Sequence, residues 1–141
     1  MLNIKIFRVI ILIGLPGSGK STYIENNIDI DKYLIFDDFL DQFFNDQIVE
    51  KLINGENVCL SDPRLCSFNT YLRVVRKLEK FISKDQIYLL LFENDKDKCL
   101  RNNSLRNNSL RKRIEIDINN FSLVYNLSNY SKYQNTIVKC Y

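Results

Sequence analysis

Histidine is absent from the 141 residues, and glycine and proline are scarce, with four and two copies. Without histidine, any general base in this protein must be a carboxylate, a lysine, a tyrosine or a cysteine. The four cysteines contain no C-x-x-C pair, so neither a zinc site nor a disulfide framework is expected from Cys59, Cys66, Cys99 and Cys140.

Apolar runs long enough to cross a bilayer are also lacking. The apolar segment Ile6–Ile13 resembles the centre of a signal peptide, but it is too short for a membrane span and no small-residue cleavage site follows it. We therefore expect no targeting segment, no membrane partner and a cytoplasmic protein. A hydrophobic content of 45% and a charged content of 26% are typical of a soluble globular chain, and the length predicts one domain, 1–141.

The net charge of +3 hides an uneven distribution. Between Glu25 and Glu50 there are eight acidic residues and one lysine, whereas between Lys96 and Arg113 there are seven basic residues and one aspartate. The late basic segment, about 96–113, is where an anionic ligand would be attracted.

Three of the four glycines lie in the stretch that directly follows the apolar run. The spacing G-x-x-x-x-G-K-[ST] is satisfied by Gly14, Gly19, Lys20 and Ser21. In this motif a buried strand ends in a loop whose backbone N–H groups surround a phosphate, and a helix begins with its positive end facing the same anion. An ordinary strand-to-helix turn would not need three glycines followed by Lys-Ser. The predicted nucleotide-binding residues are Gly14, Leu15, Pro16, Gly17, Ser18, Gly19, Lys20, Ser21 and Thr22.

This motif predicts ATP and Mg²⁺ as ligands. Lys20 is expected to reach the β- and γ-phosphates, and the Ser21 hydroxyl is expected to ligate Mg²⁺. Asp62 ends a later apolar strand, a position from which a carboxylate holds magnesium through water, so it is the second predicted metal residue. The alternative for Asp62 is a turn-forming role before Pro63.

Phosphoryl transfer also needs a carboxylate near the acceptor and a mobile arginine. Asp37 and Asp38 follow the second predicted strand, and we favour Asp37 as the catalytic residue because it is nearer the strand. The alternative is helix capping, for which Asp38 is better placed. A lid that closes on the nucleotide could use Arg101, Arg106, Arg111 or Arg113, with a solvated basic face as the alternative for each.

Hydrophobic periodicity predicts strands that alternate with helices, and hence a three-layer α/β domain with a mostly parallel sheet. In such sheets ligands bind beyond the carboxyl ends of the strands, where the glycine-rich loop, Asp37 and Asp62 all fall. After the first apolar strand, the predicted strands are Tyr33–Phe36, Val58–Leu60, Gln86–Phe92 and Thr136–Cys140. The predicted helices are Gly19–Asn26, Phe39–Asn54, Phe68–Ile82 with Ser67 as N-cap, Asp97–Leu105 and part of Ile114–Ser128.

Four segments together carry a resemblance to a known family: Ile13–Thr22, Phe36–Phe39, Leu60–Asp62 and Arg101–Arg106. In order and spacing they resemble the kinase domain of phage-type polynucleotide 5′-kinases and, more loosely, other small P-loop kinases and zeta-toxin-like proteins. The resemblance implies a P-loop NTPase fold, Asp37 as the general base for a 5′-hydroxyl, and Arg106 as the lid arginine on the phosphates.

The chain departs from that pattern at Leu40, where the family has an arginine that grips the acceptor's phosphate. Arg64 or Arg73 could substitute for it. The resemblance therefore predicts an ATP-dependent kinase whose acceptor is the 5′-hydroxyl of a nucleic acid. A kinase for a nucleoside or small metabolite, and a non-catalytic nucleotide-binding module, are the alternatives.

Overall fold

The computed structural model describes residues 6–105 and 109–140, and the central element of this part of the chain is β1 (Val9–Ile13). All five residues of β1 are buried, as expected for a strand that is covered on both faces. Four further strands join it in one sheet: β2 (Leu34–Asp37), β3 (Val58–Ser61), β4 (Ile87–Phe92) and β5 (Gln134–Val138).

The sheet order is β2-β3-β1-β4-β5, and every neighbouring pair is parallel. The registers pair Val9 with both Val58 and Ile87, so β1, β3 and β4 begin at the same level. The predicted parallel α/β sheet is confirmed. Because all described strands run the same way, their carboxyl ends form a single edge of the sheet.

Helices lie on both faces of the sheet. Their bounds are α1 (Lys20–Asn27), α2 (Leu40–Phe44), α3 (Gln47–Ile53), α4 (Phe68–Leu78), α5 (Lys96–Ser104) and α6 (Arg111–Val124). Alternate residues of β1 define the two cores: Ile10 and Leu12 pack with Ile24 of α1, whereas Val9, Ile11 and Ile13 pack with α2, α3, α4 and α6.

The prediction of one helix over Phe39–Asn54 is wrong. The structure breaks it at Asn45 and Asp46, where Asp46 adopts a left-handed backbone with φ 69°. Lys77 of α4 contacts both sides of the break. Its Nζ lies 2.7 Å from Asp46 Oδ1 and donates to the Phe43 carbonyl at 3.1 Å. The apolar periodicity continues across the break because both short helices bury their apolar residues in the same core.

The other predicted elements are present with shifted ends. The helix predicted over Phe68–Ile82 ends at Leu78, with Ser67 at the N-cap position but without a side-chain hydrogen bond. The last strand, predicted over Thr136–Cys140, begins two residues earlier at Gln134. Within the described residues, no helix has the length and apolar character that a membrane span requires.

Candidate functional site

A cavity of about 990 Å³ opens at the carboxyl ends of β1, β2 and β3. The loop after β1 contributes Gly17 and Lys20, and the ends of β2 and β3 contribute Asp37 and Asp62. Helices α5 and α6 form the opposite wall. The structure therefore brings together the glycine-rich loop and both predicted strand-end aspartates, which are separated by up to about 50 residues in sequence.

The glycine-rich loop, residues 14–19, needs glycine for two separate reasons. Gly17 and Gly19 have φ of 81° and 96°, in the left-handed region that side chains disfavour. Gly14 lies so close to its neighbours that a Cβ there would be 2.7 Å from both Phe92 Cβ and Ser18 Oγ. Within the loop, between Gly14 and Gly19, the Ser18 N–H donates a hydrogen bond of 3.1 Å to the Leu15 carbonyl and closes a turn.

Lys20 is the first residue of α1, and its side chain folds back into this loop. Only 9% of the residue is exposed, and Nζ donates to the Gly14 and Leu15 carbonyls, each at 2.8 Å, and to Ser18 Oγ at 3.4 Å. Burial lowers the pKa of Lys20 because desolvation disfavours the ammonium, and carboxylates at Asp37 and Asp62 offset part of that effect. All three acceptors are uncharged, so an anion in the loop would give this buried ammonium a charged partner.

The amino end of α1 faces the same cavity. Its N-cap is Gly19, which has no side chain to cap the helix, and no acidic residue lies in the first turn. The first-turn N–H groups and the helix dipole therefore present positive potential beside Lys20. Ser21 and Thr22 also line the cavity, and Ser21 is exposed.

Asp37 and Asp38 both line the cavity, but they are held differently. Asp37 is the last residue of β2, and its Oδ1 accepts from the Asp38 N–H at 3.0 Å. Asp38 has φ 48°, and its N–H also donates to the Ser61 carbonyl at 2.8 Å. Partial burial raises the pKa of Asp38, and the neighbouring carboxylates Asp37 and Asp62 raise it further.

The capping alternative for Asp38 is not what the structure shows. Helix α2 begins at Leu40 with Phe39 at the N-cap position, and no side chain of Phe39 can bond to the first turn. The Leu40 N–H instead faces Asp62 Oδ2 at 3.4 Å. Asp38 is thus left with its carboxylate toward the cavity rather than engaged in the helix.

Asp62 is completely buried and acts as a structural turn residue. Its Oδ1 accepts from the Arg64 N–H at 3.0 Å, which caps the 3-10 turn Pro63–Cys66. The Arg64 side chain adds two hydrogen bonds, from Nε at 3.0 Å and Nη2 at 2.8 Å, so the pair is bidentate. This matches the turn-forming alternative, and magnesium binding by Asp62 stays a prediction.

The residues of the cavity fit a nucleotide-bound Mg²⁺ better than a metal held by protein alone. Among the described residues, no group of three or more His, Cys, Asp or Glu side chains converges on a metal position. Magnesium is usually held through one or two carboxylates together with substrate phosphates. The Ser21 hydroxyl and the Asp37 carboxylate are hard oxygen donors of that kind on the cavity wall.

The basic segment predicted as a lid forms α5 and the start of α6. Asn102 of α5 donates from Nδ2 to the Gly17 carbonyl at 2.9 Å, and Arg113 of α6 lines the cavity. Arg101 and Arg111 are exposed and are not among the lining residues. Arg106, the predicted phosphate contact, lies outside the described residues.

Apart from Arg113, sequence reasoning missed the contribution of α6 to the site. Ile114, Asp117 and Phe121 line the cavity from one helix face, at the i, i+3, i+7 spacing that places residues on the same side. The spacing could have been found in the sequence. The direction in which that face points depends on tertiary packing, which the sequence does not show.

No protein-family model matches the sequence. The chain is 37% identical over 127 residues to "Uncharacterized protein R277" from Acanthamoeba polyphaga mimivirus, an alignment that covers 89% of this chain and 91% of the viral protein. This level of identity over nearly the full length of both proteins shows that the chain belongs to the same family as that viral protein.

Proposed function

We propose that the protein is a P-loop kinase, an Mg²⁺-dependent enzyme that transfers the γ-phosphate of ATP to a hydroxyl group. One observation carries this proposal: a loop with a buried lysine and the carboxylates of Asp37 and Asp38 line the same cavity. A triphosphate needs the first feature, and an acceptor hydroxyl needs the second.

Each part of the cavity has a role in the proposed reaction. The loop N–H groups and the amino end of α1 bind the phosphates, and Lys20 moves from the Gly14 and Leu15 carbonyls to the phosphate oxygens. Asp37 accepts the proton of the attacking hydroxyl, with Asp38 as the alternative base. The Ser21 hydroxyl would hold an Mg²⁺ ion that arrives with the nucleotide, and that ion would neutralise part of the phosphate charge.

The first candidate for the acceptor is the 5′-hydroxyl end of a nucleic acid, as the resemblance to polynucleotide kinases implies. Leu40 cannot bind a phosphate because its aliphatic side chain has no hydrogen-bond donor, and it is buried in the core. Arg73 lies over the Phe44 ring, 4.7 Å from its centroid. Arg64 lines the cavity but is bonded to Asp62. Arg113 is therefore the arginine that we assign to an acceptor phosphate.

The second candidate is a small hydroxyl compound without phosphate, such as a nucleoside. A specific observation favours it: four carboxylates line the cavity in addition to the engaged Asp62, namely Asp37, Asp38, Asp41 and Asp117. With the basic groups of the glycine-rich loop and α1 engaged by ATP, negative potential of this kind opposes the binding of a second polyanion as acceptor.

To test this proposal, the protein is incubated with Mg²⁺ and γ-labelled ATP in three parallel reactions. One contains a 5′-hydroxyl oligonucleotide, one contains a set of nucleosides, and one contains no acceptor. Label on the oligonucleotide that decreases steeply with added salt supports the nucleic acid, because phosphate contacts release counterions. Label on a nucleoside with little salt dependence supports the second candidate. ATP binding without transfer to any acceptor would indicate that the protein is a nucleotide-binding module and not a kinase.

Three variants make this experiment specific to the site. Lys20→Ala and Asp37→Asn should each abolish most of the transfer, by roughly 10²- to 10⁴-fold for the general base. Asp38→Asn is the matched control, since it removes the adjacent carboxylate and leaves Asp37 in place. Full activity in Asp37→Asn together with loss in Asp38→Asn would reassign the base to Asp38.

A further inference from the structure

Two thiols that are 41 residues apart in the sequence meet behind the glycine-rich loop. Cys99 belongs to α5 and Cys140 follows β5, and their Sγ atoms are 3.8 Å apart. Cys99 is completely buried and Cys140 is 5% exposed. The Cys140 thiol also contacts the Glu93 carbonyl at 3.3 Å.

The surroundings of the two sulfurs differ. The two thiols share a hydrogen bond in which either sulfur can donate. Donation by Cys99 to the Cys140 sulfur lowers the pKa of Cys140 below its usual range and raises the pKa of Cys99. Lys98 adds to this asymmetry, since its Nζ donates to the Cys140 carbonyl at 2.7 Å and places a cation beside this residue. The geometry thus pairs two buried thiols in direct contact, of which Cys140 is the more acidic and the more exposed, 5% against 0% for Cys99. This is the arrangement of an attacking and a resolving cysteine.

We propose that Cys99 and Cys140 form a redox modification site, which closes to an intramolecular disulfide when hydrogen peroxide reaches Cys140. In the first step the Cys140 thiolate attacks one peroxide oxygen, the O–O bond breaks, and the departing hydroxide takes a proton to form water. Cys140 is then a sulfenic acid. In the second step the Cys99 sulfur attacks the Cys140 sulfur, the S–O bond breaks, and the departing oxygen takes the Cys99 proton and leaves as water. Two thiols lose two electrons in total, and one peroxide becomes two water molecules.

Helix α5, which carries Cys99, also contacts the glycine-rich loop, so formation of the disulfide can affect that loop. The Cys99 carbonyl oxygen lies 2.9 Å from the place that a Cβ on Gly17 would occupy, and Asn102 of the same helix donates to the Gly17 carbonyl. A disulfide holds its sulfurs about 2 Å apart, so the two sulfurs must approach each other when it forms, through rotation of the side chains or movement of the segments that carry them. Any movement of α5 changes its contact with Gly17.

The test treats the folded wild-type protein with hydrogen peroxide, blocks remaining thiols with iodoacetamide, and identifies the digested peptides by mass spectrometry. The expected product is a linked pair of peptides that contain Cys99 and Cys140, two hydrogens lighter than the reduced pair and cleaved by dithiothreitol. Once the protein is unfolded for alkylation, Cys59 and Cys66 should be found alkylated, because burial raises the pKa of both thiols to about 12 and peroxide reacts with the thiolate. The oxidised protein should also melt roughly 5–10 °C higher, since the bond closes a loop of about 40 residues.

Two variants complete the experiment. Cys99→Ser should stop the reaction at a Cys140 sulfenic acid that dimedone captures, and Cys59→Ser should form the cross-link as the wild type does. The proposal is overturned if the folded wild-type protein keeps four alkylatable thiols after peroxide treatment, or if the cross-link joins Cys59 or Cys66 instead. The wild-type measurement tests the proposal by itself, so the test remains valid even if one of the variants does not fold.

Discussion

At the scale of single residues, Asp38 shows the clearest strain in the candidate site. Its φ of 48° is unfavourable for a residue with a side chain, and partial burial beside Asp37 and Asp62 disfavours its charge. Backbone strain and accumulated like charge are often maintained where function requires them. Asp38 is therefore expected to reduce the stability of the protein.

This leads to a prediction for Asp38→Asn. The raised pKa means that the folded state binds the Asp38 proton more tightly than the unfolded state, so stability is greatest below the ordinary carboxyl pKa and is lost as the pH rises through the raised value. At pH 7 asparagine removes the charge and still tolerates a left-handed backbone. The free energy of unfolding should rise by a few tenths to about 1 kcal/mol, a modest gain because the side chain is largely solvated.

Urea denaturation at pH 7 and pH 3 checks this prediction. The gain should be present at pH 7 and should shrink at pH 3, where the wild-type carboxyl is protonated. Equal gains at both pH values would show that the backbone, and not the charge, accounts for the effect. A lower free energy of unfolding for Asp38→Asn at pH 7 would show that Asp38 does not destabilise the folded protein.

The limits of sequence reasoning are also visible in single residues. Gly14, Gly19, Lys20 and Ser21 could be placed because one local motif fixes their geometry. The ion pair between Arg64 and Asp62 could not be predicted from the sequence. The Asp-Pro-Arg segment is compatible with a turn, with a metal ligand at Asp62, or with both. The bidentate pair becomes evident only when the burial of Asp62 is known.

At the scale of elements, local pattern and tertiary contact disagree at the α2–α3 break. Periodicity alone favours a continuous helix, because apolar residues on both sides of the break face the same core. At the break, Asp46 forms an ion pair with Lys77, which is 31 positions further along the chain. A contact of that range cannot be read from the residues of the helix itself.

The end of α4 provides a second prediction, for Tyr133→Phe. The Tyr133 hydroxyl donates to Glu79 Oε1 at 2.8 Å, and Lys132 Nζ lies 3.1 Å from the same oxygen. These contacts join the end of α4 to the segment before β5. The hydrogen bond from Tyr133 lowers the pKa of Glu79, and Lys132 lowers it further.

The sign of the pH effect follows from the lowered pKa. The contribution of Glu79 to stability is present above the ordinary glutamate pKa and is lost as the pH falls through the lowered value. Tyr133→Phe should therefore reduce the free energy of unfolding at pH 7 by about 0.5–1.5 kcal/mol, and the deficit should diminish at acidic pH. Chemical denaturation over pH 3–7 provides the measurement.

Tyr88→Phe is the matched control for this prediction. The Tyr88 hydroxyl contacts Thr136 Oγ1, a neutral partner on β5, so its removal should not change the pH dependence. A Tyr133→Phe deficit that is the same at pH 3 and pH 7 would exclude the proposed link between Tyr133 and the charge of Glu79.

At the scale of the whole molecule, the parallel sheet explains why distant residues share one cavity. Strands β1, β2 and β3 are adjacent or separated by one strand, so the loops at their carboxyl ends meet. The alternation of strands and helices was sufficient to predict this edge. The wall formed by α6 was not predictable, because it depends on how that helix packs, and the contact of Cys99 with Cys140 spans 41 residues.

We propose that the glycine-rich loop and Lys20 bind the phosphates of ATP, and a calorimetric titration of the protein with Mg²⁺-ATP measures that binding. Wild-type protein should bind one equivalent, and Lys20→Ala should weaken binding about 10- to 100-fold, the loss expected for a charge-assisted hydrogen bond to phosphate. Lys32→Ala, a change at an exposed lysine outside the cavity, should bind as the wild type does. If the wild type does not bind Mg²⁺-ATP, or if Lys20→Ala binds it with equal affinity, the loop does not hold the phosphates through Lys20.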